Sequence, residues 1–335
     1  MKKKLSIIIL NWNGQKLLKQ FLPSVVRHVD SRDLDDVEVV VADNGSTDDS
    51  LRFLKESYPE NVRIIALDKN YGFAEGYNRA IAEVDAEFVT LLNSDVETPM
   101  GWYRPILDFM DANPDVGACQ PKILSYRDKD MFEYAGAAGG LLDKLGYPYC
   151  RGRLFDKIEK DEGQYDSGPA DVAWASGAAL TVRRDAYLKV GGLDNRFFAH
   201  MEEIDLCCRM WNVGYRVCVV PESKAYHVGG ASLAQGNPQK TYLNFRNNLL
   251  LLHKNLPKEK GKKVLFERRL MDTLAFIMYV AKFDFANARA ILKAHSDFRK
   301  MRRNYNEFPA HDILSTLPGS DRMIVFDRYV KGKSR

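Results

Sequence analysis

Phe88-Val89-Thr90-Leu91-Leu92-Asn93-Ser94-Asp95 is an apolar run of strand length that stops on a polar tip closed by a carboxylate. A short continuous apolar run bounded by polar residues reads as a buried strand. In open α/β sheets, ligands bind beyond the carboxyl ends of such strands, so Asp95 is placed for chemistry. One carboxylate suits Mg2+ or Mn2+ only where the phosphates of a substrate complete the coordination shell.

Working outward from this strand, the first 120 residues alternate strand and helix signals. Strand Leu5–Leu10 precedes a helix over Gln15–Val29, and strand Val37–Ala42 leads through Asp43-Asn44-Gly45-Ser46 into a helix that Ser46 or Thr47 can cap. Strand Val62–Leu67 precedes Asn70-Tyr71-Gly72-Phe73-Ala74-Glu75-Gly76-Tyr77-Asn78 and a helix running through Val84. After the Asn-Ser-Asp tip, Thr98-Pro99 opens a helix that Asn113-Pro114 ends. Strands separated by helices of this length imply right-handed crossovers and a mostly parallel sheet covered on both faces.

Glycines at 136, 139, 140, 146 and 152 break the periodicity between Gln120 and Pro169, which reads as an irregular or hairpin insertion. Strand Ala178–Val182, helix Arg184–Val190, the turn Gly191-Gly192-Leu193-Asp194 and the acidic cluster Glu202-Glu203-Ile204-Asp205 follow. That cluster opens a helix over Leu206–Val213, closed by Gly214. Beyond position 240 the pattern becomes long, basic and helical, over Tyr242–Lys254 and Lys263–Arg303. The organisation is an α/β domain over 1–240, split near 120 into two halves, with a helical extension over 241–335.

A chain of 335 residues, 45% of them hydrophobic, can bury a substantial core. Lys and Arg number 49 against 45 Asp and Glu, too even a balance to signal nucleic-acid binding. Five cysteines without a CxxC pair suggest neither a disulfide framework nor structural zinc. The basic N-terminus carries about five apolar residues before Asn11, too few for a signal peptide, and no run approaches the ~20 residues of a membrane span. The expected location is cytoplasmic, soluble or peripheral on the membrane's inner face. Leu274–Ala281, apolar between basic stretches, fits an amphipathic attachment to an anionic membrane surface and equally a helix packed on the core.

Acids at or beyond strand ends are the chemical candidates. Asp43 after Val39-Val40-Val41-Ala42 can accept from ribose hydroxyls or a base N–H, or can simply build a tight turn. His227, following an apparent strand Val217–Pro221, is the natural second ligand beside Asp95. Glu202 and Glu203 raise one another's pKa, which suits a general base; the same residues also fit an acidic helix start.

The order of these pieces resembles the family-2 glycosyltransferases with the GT-A nucleotide-diphospho-sugar transferase fold. The resemblance rests on Ile7–Asn13, Val41–Asp48, Asn70–Asn78 and Leu92–Asp95 in the donor half. In the acceptor half it rests on Trp174–Ala178, Val190–Asp194, Phe197-Phe198 and Glu202–Leu206. It spans roughly residues 5–255 and points to the branch similar to rhamnosyl- and galactofuranosyltransferases.

The resemblance implies an inverting, metal-dependent transfer of a sugar, dTDP-rhamnose being the leading donor, to a glycan or lipid-linked acceptor of cell-surface polysaccharide synthesis. It implies nucleotide-sugar contacts from Asn11, Trp12, Asp43, Asn70, Gly72, Asn78, Asn93 and Ser94, with Trp12 stacked on the base. Asp95 and His227 would hold the divalent cation, Glu203 would be the base with Glu202 beside it, and Trp174, Gly177 and Asp205 would meet the acceptor. Asn93 departs from the pattern, since the family's Asp-x-Asp motif has an acid there. A Rossmann oxidoreductase would need G-x-G-x-x-G where Asn11-Trp12-Asn13-Gly14 stands. A nucleotidyltransferase would need a glycine-rich basic loop at the same place, and a non-catalytic sugar-nucleotide-binding protein is the third alternative.

Overall fold

The computed structural model describes residues 2–29, 31–33, 35–229, 236–329 and 331–332. Its first half runs β1 (Lys3–Asn11), α1 (Gln15–Arg27), β2 (Val37–Asp43), α2 (Ser50–Ser57), β3 (Arg63–Ala66), α3 (Gly72–Ala82), β4 (Ala86–Leu92), β5 (Val96–Glu97), α4 (Arg104–Ala112) and β6 (Val116–Ser125). An insertion of short strands follows, β7 (Gly140–Leu142), β8 (Pro148–Cys150), β9 (Arg153–Leu154) and β10 (Lys157–Ile158). The chain then returns through β11 (Ala170–Asp171), β12 (Ala179–Arg183), α5 (Arg184–Lys189), α6 (Glu202–Asn212) and β13 (Arg216–His227). Helices α7 (Pro238–Asn255), α8 (Lys258–Ala281), α9 (Phe285–Met301) and α10 (Ile324–Tyr329) close it.

The central sheet has the order β11-β13-β6-β12-β4-β1-β2-β3, with β5 paired to β13. Strands β4, β1, β2 and β3 are parallel neighbours, as are β13 and β6, whereas β12 runs antiparallel between β4 and β6. The sheet is thus mixed: β12 enters directly from the insertion, without the helical crossover that a parallel neighbour needs. Alternation along β1 builds two cores. Ile8 joins α3, α6 and the Leu249–Leu252 run of α7 on one face, while Leu5, Ile7 and Ile9 join α1 and α4 on the other. The C-terminal helices therefore share a core with the α/β layer.

Several boundaries differ from the sequence reading. Neither Ser46 nor Thr47 caps α2, because Ser46 Oγ accepts from the Asn13 backbone N–H at 2.9 Å and from Asn11 Nδ2 at 3.2 Å, drawing the turn onto β1. The helix expected at Thr98 starts at Arg104. Residues 98–101 are tied to α1 instead, through His28 Nδ1 against the Thr98 carbonyl and the Gly101 N–H donating to His28 O at 3.1 Å. Pro221 does not end β13, which passes it with an irregular register against β6 and runs to His227. The acidic cluster lies inside α6, and the long helix expected over Lys263–Arg303 breaks at Phe283, whose φ is +58°, where Asp284 caps α9. The insertion is an antiparallel four-stranded sheet, held to β6 by wholly buried Lys122, which donates to Asp161 at 2.8 Å.

Candidate active site

The ends of β1 and β2 lie opposite one another, Asn11 beside Asp43. Asp43 is enclosed; its carboxylate accepts from Asn11 Nδ2 and from the Ser46 N–H, each at 2.9 Å. With no exposed surface, this carboxylate shapes the turn that joins the ends of β1 and β2. Gly45 has φ of +72°, and a Cβ there would stand 2.5 Å from the Lys69 backbone, so the turn packs directly on the segment before α3. Asn44 bridges the two, accepting from the Tyr71 N–H at 2.9 Å and donating to Asn70 Oδ1 at 3.0 Å. Asn70 Oδ1 also accepts from the Gly72 N–H at 2.8 Å, which spends that oxygen on the loop. Trp12 stands 56% exposed at the rim, free to stack on a planar ligand.

Asn78 is likewise used inside the protein. Its amide donates to Leu193 O at 2.9 Å and accepts from the Leu193 N–H at 3.0 Å and the Tyr187 hydroxyl, stapling α3 to the acceptor half.

Short β5 pairs with the end of β13, His227 opposite Val96, and this pairing brings the strand tip to the histidine. Asp95 Oδ1 lies 3.2 Å from His227 Nε2, and both residues are buried. On the ring's other side Glu133 Oε2 lies 3.4 Å from Nδ1. Burial disfavours the charged ring, but Asp95 and Glu133 together outweigh it and raise His227 to about 10. Asn93 Nδ2 stands 3.4 Å from Nε2, Ser94 is half-buried beside it, and the Asn93 N–H donates to Ala178 O at 3.0 Å.

Glu133 has no mark in the sequence, being one acid within the glycine-rich insertion. Its placement is nonetheless strict, since a Cβ on Gly229 would meet Glu133 Oε1 at 2.4 Å. Among the described residues no group of three or more His, Cys, Asp or Glu converges on a metal position. The donor set that does exist, an Asp oxygen and an imidazole nitrogen side by side with a carboxylate steadying the ring, fits an oxygen-seeking divalent cation whose other ligands come from a diphosphate.

Glu202 and Glu203 start α6 after a stretch in which Phe198, His200 and Met201 all have positive φ. Such backbone is costly for side-chain-bearing residues and persists only where neighbours hold it. Here α7 holds it: the Asn247 amide donates to the carbonyls of Phe197, Ala199 and His200 at 2.7–2.9 Å, and Arg246 donates to Phe197 O at 2.8 Å. Asn247 and Arg246 also carried no signal in the sequence beyond their place in a helical run.

Glu203 reaches the donor side. A Cβ on Gly177 would lie 3.8 Å from its Cβ and Cγ and 3.7 Å from Phe73 Cζ, so Gly177 leaves the gap between Glu203 and Phe73. Glu202 Oε2 and Glu203 Oε2 are buried with no hydrogen-bond partner. Burial raises both carboxyls, Glu203 to about 6, and Glu202 further because the Glu203 charge adds to it.

Two residues expected at the acceptor are buried among protein partners. Asp205 is fully buried and receives Lys254 Nζ, Arg209 Nε and Asn255 Nδ2, each at 2.8 Å, which locks α6 to α7. Trp174 is core: its indole N–H donates to Leu141 O at 3.0 Å, and its ring lies where a Cβ on Gly140 would stand.

Residues 6–165 match the glycosyl transferase family 2 profile. The chain is 31% identical over 241 residues to the N-acetylglucosaminyl-diphospho-decaprenol L-rhamnosyltransferase of Mycobacterium tuberculosis, a match covering 67% of this chain and 75% of that protein. It is 27% identical over 210 residues to the dTDP-rhamnosyl transferase RfbF of Shigella flexneri, 58% of this chain and 64% of that one. The crystal structure of GalNAc-T7 with UDP, GalNAc and Mn2+ aligns at a TM-score of 0.62 over 95% of this chain and 58% of its own, at 16% identity, a likeness of fold. The chain belongs to the family-2 glycosyltransferases, with the GT-A fold. Within that family it is an enzyme of the rhamnosyltransferase-like branch.

Proposed function

We propose that the protein transfers L-rhamnose from dTDP-rhamnose, with inversion, to a hydroxyl of a lipid-linked or glycan acceptor in cell-surface polysaccharide synthesis. The observation that carries the transfer reading is the unpartnered Glu203 oxygen at the start of α6, across Gly177 from Phe73 of the donor half. The sugar is argued from the names of two relatives, one a dTDP-rhamnosyl transferase and one acting on a polyprenyl-linked N-acetylglucosamine.

In this reading Glu203 takes the acceptor hydroxyl's proton as that oxygen bonds to the anomeric carbon. The bond to the diphosphate breaks, its electron pair leaving with the nucleotide, and attack opposite the leaving group inverts the centre. Neutral Glu202 beside Glu203 keeps a second negative charge away from the base. Asp95 and His227 would hold a divalent cation, which when bound supplies positive charge to the departing diphosphate. Trp12 receives the base, while the Asn11-Asp43-Ser46 network fixes the turn beneath it.

The test is nucleotide release and product mass with dTDP-rhamnose, set beside UDP-galactofuranose and UDP-N-acetylglucosamine, using a lipid diphosphate-linked N-acetylglucosamine and either Mn2+ or chelator. Rhamnosyl product from dTDP-rhamnose supports the reading. Preference for another donor overturns the sugar, and no acceptor-dependent release with any donor overturns the transfer.

A further inference from the structure

The C-terminal hairpin has an end that the catalytic reading does not use. Asp272 is the last fully buried side chain of α8, fixed by Arg268 at 3.4 Å and by His295 of α9 at 2.9 Å. Beyond it the outward face of α8 carries Leu274 and Ile277, 60% and 55% exposed, continuing the line of Leu270. Met278 and Val280 are exposed on the flanks, and Phe283 at the turn is 82% exposed with its ring edge-on to exposed Phe285. The inward positions Ala275, Phe276 and Tyr279 are only half-buried. The end of the hairpin is therefore apolar around its circumference, unlike a surface helix with a single stripe turned to a core.

The charges around it have one sign. Between residues 264 and 293 the exposed charged side chains are Arg269, Lys282, Arg289 and Lys293. The three acids in that stretch are withdrawn: Asp272 is buried, Asp284 caps α9 by accepting from the Asn287 N–H at 3.1 Å, and Glu267 is half-buried.

We infer that the α8–α9 hairpin end is a membrane-docking element that immerses Leu274, Ile277 and Phe283 in the interfacial layer of an anionic lipid leaflet, with Arg269, Lys282, Arg289 and Lys293 against the headgroups. Two observations select lipid over a second copy of the chain. An end apolar on every side is satisfied by a medium that surrounds it, whereas a flat protein partner covers one side. A second hairpin would also bring the like charges of Arg269, Lys282, Arg289 and Lys293 toward their own copies. Among the described residues no helix is long and apolar enough to cross a membrane, so the element lies in the interface. Basic residues beside an apolar surface favour anionic lipid through the negative potential of such a leaflet. The inference is independent of which sugar is transferred, because docking needs neither donor nor acceptor.

The experiment is flotation of the purified full-length protein with vesicles of phosphatidylcholine alone, or with roughly a third phosphatidylglycerol, at low and high salt. Expected is recovery with anionic vesicles, reduced by salt, and at least tenfold weaker partitioning for the double substitution Ile277→Ser with Phe283→Ser. Both sites are exposed, so its thermal midpoint should stay within a few degrees of wild type. A Phe283→Trp variant should gain a blue-shifted fluorescence component with anionic vesicles that wild type lacks. Absence of wild-type flotation, wild-type partitioning of the double variant, no fluorescence shift at position 283, or a tip-dependent dimer without lipid binding would each overturn the assignment. Release of nucleotide in detergent, with a water-soluble acceptor, should be the same for the double variant and wild type, which separates loss of docking from loss of chemistry.

Discussion

Asp95 Oδ1 and His227 Nε2 face each other at 3.2 Å although they lie far apart in sequence, because two-residue β5, which follows Asp95, pairs with the last two residues of a twelve-residue strand. The ring is steadied from behind by Glu133, so the histidine must give up a proton before it can ligate a cation. Mn2+ affinity in the presence of dTDP should accordingly rise with pH across the neutral range, since the ring's raised pKa lies above it. Glu133→Gln should weaken the metal by about 10–100-fold, the usual scale for a lost partner behind a ligand. Asn93→Asp should strengthen it by adding a carboxylate at the cleft. Calorimetric Mn2+ titration of the three proteins at two pH values checks this, and equal affinity in all three would remove the metal from Asp95 and His227.

Glu203→Gln should lower turnover by roughly a hundredfold or more while leaving dTDP affinity within about twofold, because the lost group acts on the acceptor proton. The wild-type rate should fall on the acid side as pH drops through about 6, above the ordinary carboxylate range, since Glu203 must be ionised to act. Paired measurements of the pH–rate profile and of nucleotide binding decide the assignment; an acid limb near 4 would place the base elsewhere.

Glu202 makes a prediction on stability. Burial and the Glu203 charge raise its folded pKa above the unfolded value, so the folded state holds a proton that the unfolded chain releases. The resulting stability is fully present below the unfolded carboxyl pKa and is lost as pH rises toward and through the folded one. Glu202→Gln should therefore melt higher than wild type at about pH 8.5 and nearly equal to it at about pH 4, where linkage through this carboxyl vanishes. Thermal melts at the two pH values are sufficient.

Where a strand is buried on both faces, the sequence was legible. The strand of Ile7 and Ile8 and the one ending at Leu92 were readable as apolar runs, and Asp95 was readable as their consequence. The antiparallel entry of β12 was not, because its apolar run reads the same in either direction and its direction depends on how the insertion folds. Asp43 shows a different limit: the residues that make a good turn also make good ligands, and its enclosure by Asn11 and Ser46 has no mark in the sequence. Glu133 and Asn247 act across long sequence separations from elements without periodic signal, one on His227 and one on the loop before Glu202. The break at Phe283 was hidden because Lys263–Arg303 keeps helical composition throughout.

Asn247→Ala tests the strained segment. It removes the donor shared by the Phe197, Ala199 and His200 carbonyls; Arg246 still serves Phe197 O, but the half-buried Ala199 and His200 oxygens lose this partner, at a cost of about 1–3 kcal/mol. Since the segment sets where α6 begins, kcat should fall more than donor KM changes, and crystallographic or hydrogen-exchange data should show residues 197–201 loosened. A variant that melts lower with unchanged kcat would confine Asn247 to stability.

Asp205→Asn separates the acceptor role expected for this residue from the structural one its surroundings describe. The carboxylate is wholly buried among Arg209, Lys254 and Asn255, and although burial works against ionisation, the two cations and the Asn255 amide hold its pKa below the usual value. Its stabilisation is therefore present above the unfolded carboxyl pKa and fades as pH falls through the lower folded one. Breaking a buried pair by removing one partner costs about 3–5 kcal/mol, so Asp205→Asn should lower the melting temperature markedly at pH 7. The loss should shrink as the pH falls below the ordinary carboxylate range, where the wild-type carboxylate itself protonates. Acceptor KM, measured at a temperature where the variant stays folded, should match wild type. A raised acceptor KM with an unchanged melting temperature would return Asp205 to the acceptor site and require its carboxylate to leave Lys254 when substrate binds.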